Sequence, residues 1–266
     1  MRRFFAVLVF LLPVLAWGPK GHQAIVQYAL WNLPEGELKA FLLAMEKELK
    51  LASLGPDQRR NEPGEAARHF FEVEAYGGWP LLGFPMSEEE ARARFGEEVL
   101  EHSGRLLWAV ADSYRALVEA FKSGERAAVL RAAGDLAHYV GDLHQPLHLS
   151  RDYDGQSWLN GGIHALFENT LLEAYFIEAA DYRPRPARVV SEGALALATA
   201  AAREGYPLVR TLNEELWKTK RLYSEFDRRY YETLWRGLFG EIARVQLRRA
   251  GGRLASLYLT AWREAR

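Results

Sequence analysis

Apolar positions recur at helical spacing through most of the chain. Past Pro19, the residues Ile25, Val26, Ala29 and Leu30 mark a helix that stops near Leu33-Pro34, and a second helix is expected over 37–51. Longer amphipathic stretches predict helices over 106–121, 126–144 and 165–178, then over 189–203, 214–237 and from 241 to the C-terminus. Ser87, followed by Glu88, Glu89 and Glu90, reads as a helix start: a capping hydroxyl, then acidic side chains at the positive end of the dipole. Residues 55–85 mix Gly, Pro, Asn and Asp without a sustained period, which predicts irregular surface with short turns. No strand alternation persists, and there is no internal repeat or low-complexity linker. The expectation is an all-α fold, one multi-helix domain over 17–266.

The first residues follow a different pattern. Arg2 and Arg3 precede an apolar run over 4–16 that ends Val14-Leu15-Ala16, the arrangement of a secretory signal peptide (1–16) cleaved before Trp17. The run contains Pro13 and falls short of the roughly 20 residues needed to span a bilayer, so stable membrane insertion is not expected. The mature chain would begin Trp17-Gly18-Pro19-Lys20-Gly21-His22 and be secreted or periplasmic.

Composition narrows the chemistry. The 266 residues include no Cys, seven His, 34 Lys and Arg, and 35 Asp and Glu, for a formal net charge of −1. Without Cys there are no disulfides, thiol nucleophiles, iron–sulfur clusters or thiolate zinc sites. The near-neutral charge argues against attachment to nucleic acid by bulk positive charge, though a local groove stays open. Any metal must sit on His and carboxylates.

The densest polar segment is His138-Tyr139-Val140-Gly141-Asp142-Leu143-His144-Gln145-Pro146-Leu147-His148. His138 and Asp142, four apart, share one helix face and can grip one cation. Pro146 frees the chain to turn, so His148 leaves the helix axis and can serve an adjacent ion. His164 and Glu168 form a second pair at the same spacing. Either pair alone is as easily a plain polar pair; two pairs plus His148 within 31 residues point to metal. His22 and His69, the latter twelve residues after Asp57, have spacings that are not diagnostic. Trp17 would place a free α-amino group and its neighbouring carbonyl at the mature terminus, a chelating pair; otherwise it is an ordinary terminal aromatic. His144 is expected to orient a ligand or to pack. His102 reads as a surface or capping residue. The basic run Arg244, Arg248, Arg249 and Arg253 reads as a solvated face.

Trp17-Gly18-x-x-Gly21-His22, the run from His138 to His148, and His164-x-x-x-Glu168 together resemble the S1/P1 nuclease and zinc-dependent phospholipase C superfamily. The resemblance runs from Trp17 to about Tyr182, with Asp57 and His69 placed by order and approximate spacing. It implies an α-helical protein with three zinc ions per chain in a cleft. Asp57, His69, His138 and Asp142 would hold one zinc, and His148, His164 and Glu168 a second. The Trp17 amino and carbonyl groups with His22 would hold the third, bridged to the first by Asp142. Two ions sharing Asp142 would activate a bridging water for attack on a phosphodiester, with Asp57 orienting or deprotonating it.

The two branches of the superfamily differ in substrate. The Trp-Gly-x-x-Gly-His start and Arg60, three residues after Asp57, resemble the nuclease branch, where a guanidinium clamps phosphate oxygens. Glu168 followed by Asn169, and the short loop between His148 and His164, resemble the phospholipase branch. The substrate is accordingly expected to be nucleic acid, with phospholipid as the alternative; no protein partner is implied. Phe70, Trp79, Tyr153 and Trp158 are the candidate substrate-binding aromatics, able to stack a base or to cage a choline headgroup. Other readings are a phosphomonoesterase on the same centre, or an exported helical binding protein with one structural zinc.

Overall fold

Pro19 sits in the first turn of a helix, where its missing N–H costs nothing. From there Pro19–Asn32 buries Ala24, Ile25, Val26, Tyr28, Ala29 and Leu30, a helix apolar on nearly every side and therefore wrapped by others. Its main neighbour is the C-terminal helix Leu238–Glu264. Gly251 permits that crossing, because a Cβ there would fall 2.4 Å from the Tyr28 Cβ. The computed structural model describes residues 17–85 and 87–266, so the proposed leader lies outside the described residues.

Helices Leu106–Ser123 and Arg126–Leu143 pack on each other through a turn at Gly124, whose φ of +70° is the left-handed geometry that glycine tolerates. Arg126–Leu143 is central: from Leu136 to Leu143 every residue is buried, and it also touches Pro19–Asn32 and Leu238–Glu264. Gly134 sets its distance to the helix Glu46–Ala52, since an added Cβ would meet the Ala52 main chain at 2.7 Å. The buried apolar side chains form one connected core, and no strand occurs among the described residues. The all-α expectation holds.

Several expected helices are divided. The stretch 37–51 is two helices, Glu37–Leu43 and Glu46–Ala52, with the turn between them placing Met45 in the core. The stretch 214–237 breaks after Pro207–Lys220 and restarts at Arg228–Arg236, where the Asp227 carboxylate accepts from the Arg229 and Tyr230 amides. The helix expected over 189–203 is Ala194–Gly205, preceded by chain without regular secondary structure at 183–190. Ser87 caps Glu88–Phe95 as expected, its hydroxyl accepting from the Glu90 amide at 3.1 Å. Residues 55–85 hold only short turns, Gly55–Gln58, Ala66–His69 and Val73–Tyr76.

Candidate metal centre

The central helix presents His138 and Asp142 one turn apart, both fully buried, with Asp142 Oδ2 3.3 Å from His138 Nε2. His22 reaches them from the first helix, its ring stacked on His138 at 4.2 Å and its Nε2 3.5 Å from Asp142 Oδ1. Gly141 makes room for it, since a Cβ there would lie 2.8 Å from His22 Nδ1. The short turns of the irregular region add the other two donors. His69, ending Ala66–His69, puts Nδ1 3.0 Å from His138 Nε2 and 3.1 Å from Asp142 Oδ2. Asp57, in Gly55–Gln58, has Oδ1 3.7 Å from His69 Nδ1 and 3.8 Å from His138 Nε2.

A second group lies past Pro146, which starts the turn Pro146–Leu149 and swings His148 off the helix. His148 Nε2 is 3.0 Å from His164 Nε2, and Glu168 Oε2 is 2.7 Å from His164 Nε2. Glu168 sits in a widened, π-type turn, Leu166–Thr170, a form often found at functional sites.

The hydrogen bonds among these side chains do not close into a satisfied network. Both His22 nitrogens, Asp57 Oδ1 and Asp142 Oδ1 are buried without hydrogen-bond partners, a costly state that a cation among them would relieve. The outward nitrogens are meanwhile fixed: His138 Nδ1 donates to the Ser53 carbonyl at 2.9 Å and His148 Nδ1 to the His69 carbonyl at 2.6 Å. Each bond leaves Nε2 as the lone pair that points inward. Among the described residues, donor atoms gather within 4.8 Å as His22/Asp57/His138, His69/His138/Asp142 and His148/His164/Glu168. Three buried His/Asp/Glu triads are thus consistent with three metal sites.

The electrostatics agree. Burial opposes charge on Asp142, but His138 beside it holds the carboxyl well below its ordinary value. Burial would likewise neutralise His138, yet Asp142 and Asp57 raise it to about 9. A proton on His138 is therefore what balances this cluster without metal. Burial pushes Glu168 up to about 7 and His164 down to about 4, so that pair also favours uncharged forms until a cation compensates.

A cleft of about 260 Å³ opens over the site, lined by Arg60, His69, Phe70, His148, Tyr153 and His164 among others. Two of the four candidate aromatics thus line it, Tyr153 edge-on to His164 at 5.8 Å. Trp79 is engaged elsewhere, its indole donating to the Arg203 carbonyl at 3.0 Å, and Trp158 lies half-buried in the turn Gln156–Trp158. Trp17 is fully buried, packed on Phe167 at 5.2 Å with its Cβ against Gly21, beside both the His22 helix and the Glu168 turn. His144 bonds the Val140 carbonyl and Arg253 rather than a metal-site side chain. His102 is exposed, its Nδ1 2.9 Å from the Glu98 carbonyl.

Spacing did not single out three supporting residues. Gln145 donates to Glu168 Oε2 at 3.1 Å, Asp154 accepts from the His164 amide at 3.2 Å, and Glu65 lies 3.7 Å behind His69 Nε2.

Buried imidazoles and carboxylates thus converge under a cleft bordered by Arg60, which makes this all-helical protein one with a candidate metal centre. The chain belongs to the S1/P1 nuclease family: the family model described as S1/P1 Nuclease matches residues 17–162. The match ends just before His164 and Glu168, which the tertiary structure supplies. Comparison with curated proteins returned no match. Among solved structures, the alpha toxin of Clostridium absonum is similar at a TM-score of 0.52 and 11% identity, covering 91% of this chain and 63% of that one. The alpha-toxin of Clostridium perfringens from avian strain SWCP is similar at 0.50 and 14%, covering 91% and 62%. These likenesses show the phospholipase C/P1 nuclease-like fold; the chain spans under two thirds of the toxins' length. No helix among the described residues is long and apolar enough to cross a membrane.

Proposed function

We propose that the protein is an exported, zinc-dependent phosphodiesterase that cuts single-stranded nucleic acid. The observation that carries this reading is the set of buried, partnerless donor atoms, His22 Nδ1 and Nε2, Asp57 Oδ1 and Asp142 Oδ1, beneath a cleft lined by Arg60, Phe70 and Tyr153. Asp57, His69, His138 and Asp142 would hold one zinc and His148, His164 and Glu168 another. His22, Asp142 and the main chain of Trp17, once freed by cleavage, would hold the third. Imidazole and carboxylate donors without thiolate suit zinc, which when bound supplies Lewis acidity toward phosphoryl oxygen and an activated water.

The chain's own residues do the rest. Arg60 donates in a fork to the phosphate's non-bridging oxygens and steadies the charge that builds in the transition state. Asp57 would orient the attacking water or take its proton as well as bind metal. Phe70 offers a ring face for base stacking, and Tyr153 walls the opposite end beside His164. Glu168 followed by Asn169 favours the second reading, a phospholipid headgroup as substrate.

The deciding assay uses the zinc-loaded mature protein on single-stranded DNA, RNA, phosphatidylcholine and an aryl phosphodiester, with a chelator control. Hydrolysis of the strands that stops on chelation is expected. Activity that survives full metal removal would refute the mechanism, and cleavage confined to phosphatidylcholine would move the substrate to the second reading. A form that keeps Ala16 ahead of Trp17 should bind less metal and turn over more slowly; normal metal content there would remove the terminal chelate.

A further inference from the structure

The run Arg244, Arg248, Arg249 and Arg253 is not one solvated face. Arg244 lies over the Trp235 ring at 5.2 Å and beside Asp181, and Arg248 Nε donates to the Arg244 carbonyl at 2.9 Å. Arg249 and Arg253, one helical turn apart, instead line a second concavity of about 400 Å³. The non-helical segment 183–190 forms the facing wall and brings Arg185 and Arg188 to it.

This wall is built, not loosely draped. The Arg185 amide donates to Asn32 Oδ1 at 2.7 Å and the Ala187 amide to the Asn32 carbonyl at 3.0 Å. The Arg188 amide donates to Ser256 Oγ at 3.1 Å and the Val190 amide to Thr260 Oγ1 at 2.9 Å. Gly252 allows the close crossing, since a Cβ there would lie 2.9 Å from the Arg185 Cβ.

Four guanidinium groups therefore border one pocket, and one carboxylate serves two of them. Glu204 lies 2.6 Å from Arg253 and 3.5 Å from Arg249. Arg188 pairs with Glu192, and Arg185 has no carboxylate partner among the described residues. Burial and the neighbouring Arg249 and Arg185 push the Arg253 guanidinium below its ordinary value, against the pull of Glu204. The remaining bond of Arg253 goes inward, from Nη1 to His144 Nε2 at 2.7 Å, while His144 Nδ1 is committed to the Val140 carbonyl.

We propose that this pocket binds a phosphate group, gripped by the Arg249 and Arg253 forks and closed over by Arg185 and Arg188. A tetrahedral dianion can engage more of these donors than the single charge of Glu204, which is partly exposed and can turn to solvent as the phosphate enters. None of the proposed metal ligands lines the pocket, so the site is distinct from the metal centre. The phosphate can be free, as orthophosphate or a mononucleotide, or part of a longer strand.

His144 provides a local readout that does not depend on hydrolysis. The metal-loaded chain, in buffer without free metal, is titrated with orthophosphate while the His144 ring is followed by nitrogen-correlated NMR. A saturable shift is expected, because a phosphate drawn to Arg253 alters the bond at His144 Nε2. Glu204→Gln should tighten binding, and Arg185→Gln with Arg249→Gln should weaken it about tenfold or more, with bound metal unchanged. A mononucleotide that binds as tightly as a phosphorothioate single strand identifies free phosphate as the ligand; tighter binding of the strand identifies a strand phosphate. A His144 ring indifferent to orthophosphate overturns the proposal, leaving an internal ion-pair cluster. So does weaker binding in Glu204→Gln, or unchanged binding in the double arginine variant.

Discussion

Gln145 shows how much of the site rests on residues with no chemistry of their own to advertise. Its Oε1 accepts from the Leu147 amide at 2.8 Å, closing the turn that frees His148, while its Nε2 holds Glu168. Gln145→Ala should therefore lower metal affinity about 10- to 100-fold, measured by competition with a chromophoric chelator. Arg60 is a different case, because it borders the cleft without belonging to a donor triad. Arg60→Ala should cut kcat roughly 100-fold with metal content unchanged, and Arg60→Lys should recover only part, lacking the planar fork. Loss of metal in Arg60→Ala would show a structural role instead. His138 and Asp142 were legible because one helical turn dictates that they meet. Gln145 and Asp154 were not, since their partners lie well along the chain; Glu65 has the same four-residue spacing to His69, but in a segment without the helical period that gives such a spacing meaning.

At the scale of elements, the site depends on close approach between helices. Gly134 lets the Glu46–Ala52 helix lie against the central helix, and the next residue, Ser53, offers its carbonyl to His138 Nδ1. Gly134→Ala would press a methyl into the Ala52 main chain, which cannot swing away as a side chain can. A loss of about 1–3 kcal/mol in stability is expected, seen by denaturant unfolding, with weaker metal binding alongside. Unchanged stability would mean the two helices separate freely. Glu168 makes a related point. The spacing of His164 and Glu168 reads as an ordinary helical pair, whereas the chain there widens into the turn Leu166–Thr170 and the helix ends at Tyr175. Helical period predicts which face a residue occupies, but not where a turn widens, here at the residues whose Phe167 packs between Trp17 and Phe239. The same limit applies to 189–203, which begins outside any helix, with the Arg188 and Val190 amides donating to Ser256 and Thr260 on the C-terminal helix.

For the whole molecule, the buried donors couple stability to metal and to pH. Without metal, burial raises the Glu168 pKa to about 7, above its unfolded value. The folded state then holds this proton more tightly than the unfolded state, so the group's contribution falls as pH rises from about 4.5 through 7. A cation beside the ionised carboxylate removes that penalty, and the proton that His138 holds up to about pH 9 must also leave. The gain in Tm on adding zinc should accordingly widen between about pH 5 and pH 8, measured by calorimetry with and without chelator. A gain independent of pH would mean that these ligands are not the ones deprotonated by binding.

The sequence by itself determined the helical class, through a period that local geometry enforces, and the pairs His138/Asp142 and His164/Glu168, through spacing on a helix. The motif from Trp17 to His22 and the run ending at His148 were enough to place the chain near its family. Spacing said nothing of His22, Asp57 and His69; the family resemblance implied their meeting near Asp142, and the tertiary structure brings them there from separate helices and turns. Only the tertiary structure decided which aromatics face the cleft, and it divided one basic run between a packed surface and a pocket. Contacts of that kind depend on how elements cross, and at Gly134, Gly141, Gly251 and Gly252 the crossing is set by the room a missing side chain leaves.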